Sequence, residues 1–207
     1  MSAALIDPHE IFERWFDDAK GTALVEPNAM VLSTVDEQGK PSSRVVLLKR
    51  IENGVYYFFT NYDSRKSQAI AANPYAALNF HWRLPVHRQV RIEGPVVKAS
   101  KEISEEYFRS RARGSQIGAW ASPQSHKIEN RKFLEERVKK IEERFQKQEG
   151  PLPENWGGFG VVPERFEFWQ EGENRLHHRR LFVKAAGKDD GAKDGSAKAW
   201  REDLLAP

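Results

Sequence analysis

The spacing of apolar residues divides the chain into a helix, a run of strands, further helices and a second run of strands. Ile11, Phe12, Trp15, Phe16 and Ala19 recur at three- and four-residue intervals, the period of one helical face. Asp7 precedes them as an N-cap, Pro8 takes the first helical position and Gly21 follows, so a helix is predicted over 8–20. From Ala29 the pattern is that of strands. Ala29–Val35 and Ser42–Arg50 flank the turn Asp36–Lys40, and Asn53-Gly54 supplies a second hairpin turn before an aromatic strand, Val55–Thr60. A short helix over about 65–72 opens at Ser64 and stops before Asn73-Pro74. Tyr75–Trp82 and Arg88–Lys98 extend the antiparallel meander. Ser100 caps a helix over about 101–113 that Gly114 ends, and a longer one lies within about 126–148, with Leu134, Val138, Ile141 and Phe145 as its apolar stripe. Strands return at Phe159–Val162 and Arg165–Gln170.

The next stretch, Glu171-Gly172-Glu173-Asn174, reads as a hairpin turn. With Arg175 opening a strand, Arg175, His177 and Arg179 share one face, and His178 and Arg180 the other. Residues 185–198 are small and polar and predict a mobile loop before a last strand within 199–207. There is no internal repeat. The expectation is a single domain over 1–207, a mixed antiparallel β-barrel with packed helices.

Composition narrows the chemistry. The 207 residues are 39% hydrophobic and 11% aromatic, enough for one core. The 33 basic residues nearly balance 30 acidic ones, so the excess does not by itself call for nucleic acid and fits local pockets for small anions equally well. With no cysteine there is no thiol nucleophile, disulfide or Cys-metal site. The histidines have no metal-ligand spacing, so no metal is expected. Acidic residues in the first helix and the lack of a long apolar run point away from signal peptide and membrane, towards the cytoplasm.

Neither a Walker loop nor G-x-G-x-x-G is present, and Gly157-Gly158-Phe159-Gly160 reads as backbone entering a strand. Cations near element ends remain. Arg44 and Lys49 are five apart, so on one ideal strand they point to opposite faces. Ser64-Arg65-Lys66 opens a helix, where free amides favour an anion. Tyr107 and Arg111 fall one helical turn apart, with Ser115 just beyond, a second phosphate-type clamp. Two such clamps suggest two phosphorylated ligands.

The motifs RVVLLK (Arg44–Lys49), FFTN-x-x-SRK (Phe58–Lys66), YF-x-SR-x-R-x-SQIGAW (Tyr107–Trp120), PLP-x-x-WGG (Pro151–Gly158) and EFW-x-x-x-x-x-RLH-x-R (Glu167–Arg179) resemble those of the pyridoxamine 5′-phosphate oxidase family. The resemblance runs from about Asp7 to Pro207 and implies an FMN-binding split barrel, homodimeric, with FMN at the subunit interface. It implies FMN contacts from Arg44, Val45, Val46, Leu47, Leu48, Lys49, Phe59, Thr60, Arg65, Lys66, Gln89, Gln124, Ser125, Trp169 and Arg179. Lys49, Tyr107, Arg111, Ser115, Arg175, Leu176 and His177 would meet the substrate, with Arg175 and His177 as the catalytic pair. The implied reaction oxidises pyridoxamine or pyridoxine 5′-phosphate with O₂ to pyridoxal 5′-phosphate and hydrogen peroxide. Hydride passes from C4′ to flavin N5.

Three positions depart from the family pattern. Phe59 replaces a common Tyr, the usual terminal Arg-Leu-x-Pro reads Leu204-Leu205-Ala206-Pro207, and only Met1–Ile6 precede the first helix, where many relatives carry a longer arm with Arg and Tyr that can cover the active site. Phenazine-type relatives are similar around EFW and RLH, but the Tyr107–Arg111–Ser115 clamp favours the vitamin B6 enzyme. A non-catalytic FMN- or pyridoxal-phosphate-binding protein is the remaining alternative.

Overall fold

The computed structural model describes residues 7–146, 148, 150–185 and 200–207. Helix α1 (Pro8–Lys20) starts where the Asp7 side chain accepts from the His9 amide, and it buries Ile11, Phe12 and Ala19. Phe12 is wholly enclosed among Tyr56, Phe80 and Trp82, burial worth about 2–3 kcal/mol. That contact fixes the helix to the sheet.

The strands are β1 (Ala29–Val35), β2 (Pro41–Leu47), β3 (Arg50–Glu52), β4 (Val55–Asn61), β5 (Tyr75–Trp82), β6 (Arg88–Lys98), β7 (Trp156–Val161), β8 (Arg165–Gln170), β9 (His178–Lys184) and β10 (Trp200–Leu204). One path runs β10-β9-β8-β6-β5-β1-β2, while β3 pairs β4, and β7 pairs both β4 and β6; every pair is antiparallel. The long β6 curls the sheet. Its residues 88–93 pair β8 and its residues 96–98 pair β7, with Gly94-Pro95 at the exchange. A Cβ on Gly94 would strike the Val162 carbonyl, so only glycine lets the two branches approach.

Cross-strand register sorts residues onto two faces. Leu32, Leu78, Ile92, Phe166 and Phe182 stand opposite one another in one row and form the floor of the core. The neighbouring outer row is Val31, Asn79, Arg91, Glu167 and Leu181, and a parallel outer row is His81, Gln89, Trp169 and Arg179.

Helices α2 (Arg65–Ala72), α3 (Lys101–Ser110), α4 (Arg113–Ala121) and α5 (Arg131–Arg144) complete the described fold. Several boundaries differ from the sequence reading. The predicted strand Ser42–Arg50 is two strands, because the chain leaves β1 and joins β4: the Leu48 amide donates to the Asn28 carbonyl and the Lys49 amide to the Tyr57 carbonyl. Arg44 and Lys49 therefore do not share a strand, and their parity conflict disappears.

The helix predicted over 101–113 ends at Ser110, and Gly114 lies inside α4 instead of breaking a helix. The Gln116 amide donates to the carbonyls of Phe108, Arg109 and Arg111, satisfying the end of α3 with a side chain from the next helix. The helix expected within 126–148 begins only at Arg131, where Asn130 caps it. Arg175 does not open a strand. Residues Glu173–Arg175 form a 3-10 turn with φ of 53° at Asn174 and 65° at Arg175, and β9 starts at His178. The alternation that placed Arg175, His177 and Arg179 on one face does not hold. The predicted loop over 185–198 lies, beyond Ala185, outside the described residues, as do Met1–Ile6.

Candidate active site

The first cluster gathers at the start of α2. Lys66 is 9% exposed, and its ammonium donates to Thr60 Oγ1 (2.9 Å), Ser64 Oγ (3.0 Å) and Gln124 Oε1 (3.3 Å). Gln124 Oε1 also accepts from Thr60 Oγ1 (2.9 Å) and the Asn61 amide (3.3 Å), which brings the segment after α4 to the end of β4. Ser64 precedes α2 but its side chain caps no amide; it is engaged with Lys66 and Ser67. On β2, Arg44 donates to the Leu32 carbonyl (3.1 Å), Thr34 Oγ1 (2.9 Å) and Ser42 Oγ (2.6 Å).

All these acceptors are neutral. Among the described residues no carboxylate pairs with Arg44, Arg65 or Lys66. Burial, followed by the Arg44 charge, lowers the Lys66 pKa to about 8, and burial with Arg65 lowers that of Arg44. Cations crowded without a counter-ion at a helix N-terminus make an anion socket.

The second cluster is aromatic. The Phe59 ring stacks on Tyr107 at 4.1 Å and on Trp156 at 5.8 Å. Gly158 lies beneath: a Cβ there would come 2.8 Å from Ala99 and 2.9 Å from the Phe59 ring. Arg111 has left α3 with extended backbone, and its guanidinium lies 4.7 Å from the Trp156 ring centre. Its Nη1 is buried with no hydrogen-bond partner, and burial lowers its pKa. By contrast Arg113 donates to the Phe145 carbonyl, and Arg109 pairs with Glu105. Ser115 lies in the first turn of α4, exposed, just past Arg111. A cavity of about 280 Å³ adjoins the stack, lined by Lys49, Arg50, Phe59, Glu106, Tyr107 and Ser110. A larger one of about 480 Å³, between α1 and the β2–β3 junction, shares Lys49 but holds no other predicted substrate residue.

The third group is on the outer face of the sheet. Gln89, Trp169 and Arg179 stand opposite one another across β6, β8 and β9. Arg179 is already engaged: it donates to Glu167 Oε1 from Nε (3.0 Å) and Nη2 (2.8 Å), and to the Ala206 carbonyl from Nη1 (2.8 Å). Glu167 is 3% exposed and also pairs with Arg91. The loop 171–177 presents exposed Arg175 and Leu176, and His177 with its ring 4.6 Å from Trp169. The Gly172 amide donates to His177 Nδ1 (3.3 Å), which leaves Nε2 of a neutral ring as the N–H.

One chain therefore assembles Arg44, Thr60, Arg65, Lys66 and Gln124 in one place, and Phe59, Tyr107 and Arg111 in a second. Gln89, Trp169, Arg179 and the 171–177 loop form a third. Val45 points outward and is 66% exposed, Val46 packs towards the core and Leu48 is buried. Ser125 is exposed with φ of 70°. Sequence reasoning singled out neither Trp156 nor Glu167 as site residues, although both lie within the quoted motifs.

Residues 16–145 match a family model described as pyridoxamine 5′-phosphate oxidase. Residues 156–207 match one described as the pyridoxine 5′-phosphate oxidase C-terminal dimerisation region. The chain belongs to the pyridoxine/pyridoxamine 5′-phosphate oxidase family. It is an oxidoreductase of that family with an antiparallel split-barrel fold. A pyridoxine/pyridoxamine 5′-phosphate oxidase from Psychromonas ingrahamii is 51% identical over 85% of this chain and 81% of its own length. One from Burkholderia thailandensis is 47% identical over 100% of this chain and 93% of its own. Among solved structures, PhzG from Burkholderia lata 383, in complex with tetrahydrophenazine-1-carboxylic acid, superposes with a TM-score of 0.85 at 25% identity, covering 97% and 93% of the two chains. An FMN-binding protein from Nostoc punctiforme, at a TM-score of 0.73 and 14% identity, shares the fold. Among the described residues no helix is long and apolar enough to cross a membrane.

Proposed function

We propose that the protein oxidises pyridoxine 5′-phosphate or pyridoxamine 5′-phosphate with O₂ to pyridoxal 5′-phosphate, as a homodimer with FMN between the subunits. The observation that carries this reading is the pair of separate, uncompensated cation sockets, one at Arg44, Arg65 and Lys66 and one at Arg111. They suit two phosphorylated ligands, a cofactor and a substrate, in a family whose relatives are named for such a substrate. A cytoplasmic setting belongs to the same proposal and fits a chain without cysteine.

The residues fit FMN. Arg44, Arg65, Lys66, Thr60 and Gln124 would hold its phosphate end, with Ser125 and the 45–49 backbone alongside. Gln89, Trp169 and Arg179 would meet it from the outer sheet face. Arg44 shares the core-facing parity of Leu32 and Phe166, whereas Trp169 and Arg179 have the opposite parity. A ligand touching both sets is most simply served by two copies, and exposed Val45 and Leu204 supply apolar surface for that contact. FMN held there would supply the redox chemistry, accepting a hydride equivalent from substrate C4′ and passing the electrons to O₂ as hydrogen peroxide.

The chain's own groups bind and orient. The free Arg111 Nη1, Ser115 and Tyr107 grip the substrate phosphate, while Lys49 supplies positive charge near the ring. Arg175 and His177 face C4′, and His177 Nε2–H donates to the oxygen or nitrogen there. Leu176 excludes water beside them.

The test is direct. Purified protein should show a bound-flavin absorption spectrum and should release pyridoxal 5′-phosphate and peroxide from pyridoxine 5′-phosphate in air. Colourless protein that takes up no FMN overturns the proposal; flavin-loaded protein without turnover supports a binding module or a phenazine-type oxidase instead. Arg175→Leu should lower kcat at least tenfold, and near-normal turnover would remove Arg175 from the mechanism.

A further inference from the structure

The outer face carries a polar chain that the proposed reaction does not use. His81, near the end of β5, and His87, just before β6, are diagonal neighbours, since Gln89 stands directly opposite His81. Their Nε2 atoms are 2.7 Å apart, and His87 Nδ1 lies 3.2 Å from Glu171 Oε2. Glu171 opens the 171–177 loop, and its amide donates to the His87 carbonyl at 3.0 Å. The His87 ring also meets Trp169 edge-on at 5.2 Å, the same indole that contacts His177. One imidazole thus touches both the root of the loop and the indole beside it.

We propose that His87, backed by His81 and Glu171, is a positioning residue that fixes Trp169 and the loop carrying Arg175 and His177. What is positioned rests on the function proposed above; the clasp itself does not.

The clasp has a definite proton order. Glu171 accepts from His87 Nδ1–H, which leaves His87 Nε2 a lone pair for the His81 Nε2–H. That contact needs a lone pair on one of the two Nε2 atoms, so it is lost only when both carry hydrogen. The groups facing the pair are Arg83 from the β5–β6 connection, Glu171, and His177 across Trp169. Arg179, next in the row, is paired with Glu167. Burial, His87 and Arg83 all lower the His81 pKa from 6.5. That lowering keeps the His81 ring largely neutral at neutral pH, with its Nε2–H available to His87.

Amide hydrogen exchange in flavin-free protein at pH 8 tests the contact independently of turnover. His87→Ala should speed exchange at Glu171 and Leu176 about tenfold or more, and should lower kcat/KM about tenfold in loaded enzyme. His87→Asn, whose amide nitrogen reaches roughly the Nδ1 position, should restore part of both. Unchanged exchange in His87→Ala overturns the proposal, with or without activity. If wild type turns nothing over while exchange responds, the reaction reading fails and the clasp stands. Should His87→Ala not fold, Glu171→Ala, at an exposed position, reads the same contact.

Discussion

Two sets of cations on this chain have opposite fates. Arg91 and Arg179 converge on Glu167, a carboxylate 3% exposed, so on the outer sheet face the protein supplies a counter-ion itself. Among the described residues Lys66, 9% exposed, meets only hydroxyl and amide oxygens, and Arg111 keeps a buried Nη1 without a hydrogen-bond partner. Burying a charge is costly, and the cost is offset within the fold in the first set only. The difference separates cations whose charge the fold already pairs, Arg179 among them although it would also meet FMN, from cations left without a carboxylate.

Removing the shared carboxylate should have the largest effect on the first set. Glu167→Ala strands two guanidiniums and should cost about 2–3 kcal/mol in urea unfolding, below the usual range for a broken buried pair because Arg91 and Arg179 still reach water. A loss under about 0.5 kcal/mol would mean that solvent already compensates them.

Lys66→Met should do the reverse. It should leave the stability of the flavin-free protein unchanged or raised, yet weaken FMN binding roughly 10- to 100-fold in a fluorescence titration. Loss of stability with unchanged FMN affinity would place Lys66 in the structural set.

Arg111→Met should raise KM for pyridoxine 5′-phosphate about tenfold, with FMN affinity unaltered, since only the second socket is touched. Equal loss of both affinities would show that the sockets act as one.

A pH dependence separates the two sets as well. The folded pKa of Lys66, about 8, is below its unfolded value of 10.5, so between these limits the unfolded chain holds more protons. Flavin-free protein should therefore gain stability as pH rises from about 8 to 10.5, an increment absent from Lys66→Met. Phosphate binding favours the charged lysine, so calorimetry in buffers of different ionisation enthalpy at pH 8–9 should register proton uptake with FMN.

Much of the local structure was legible in the chain. Helix α1, the Asn53-Gly54 turn, α2 and strands β1, β5, β6 and β8 follow from caps, glycines and apolar period, signals that neighbouring residues carry. The boundaries that moved were those set by a distant partner. Gln116 closes the end of α3, β4 recruits residues 50–52 away from β2, and the pairing of Gln170 with His178 closes 171–177 into a loop.

The site divides in the same way. Its residue types and motifs were present in the sequence: Lys66 after Ser64, Arg111 after Tyr107, and Arg175 with His177 before Arg179. Which cations are compensated was not, because ion pairing depends on register across strands far apart in sequence. Glu167 stands one strand away from both Arg91 and Arg179, and nothing local marks it as their partner. Nor does local period show that Arg44 and Trp169 belong to opposite faces of one curled sheet. Signals between near neighbours in the chain set most of the elements and the chemistry they carry. Which charges meet and which remain free depends on the fold, since that choice is made by non-local pairing and by the loss of water that packing imposes.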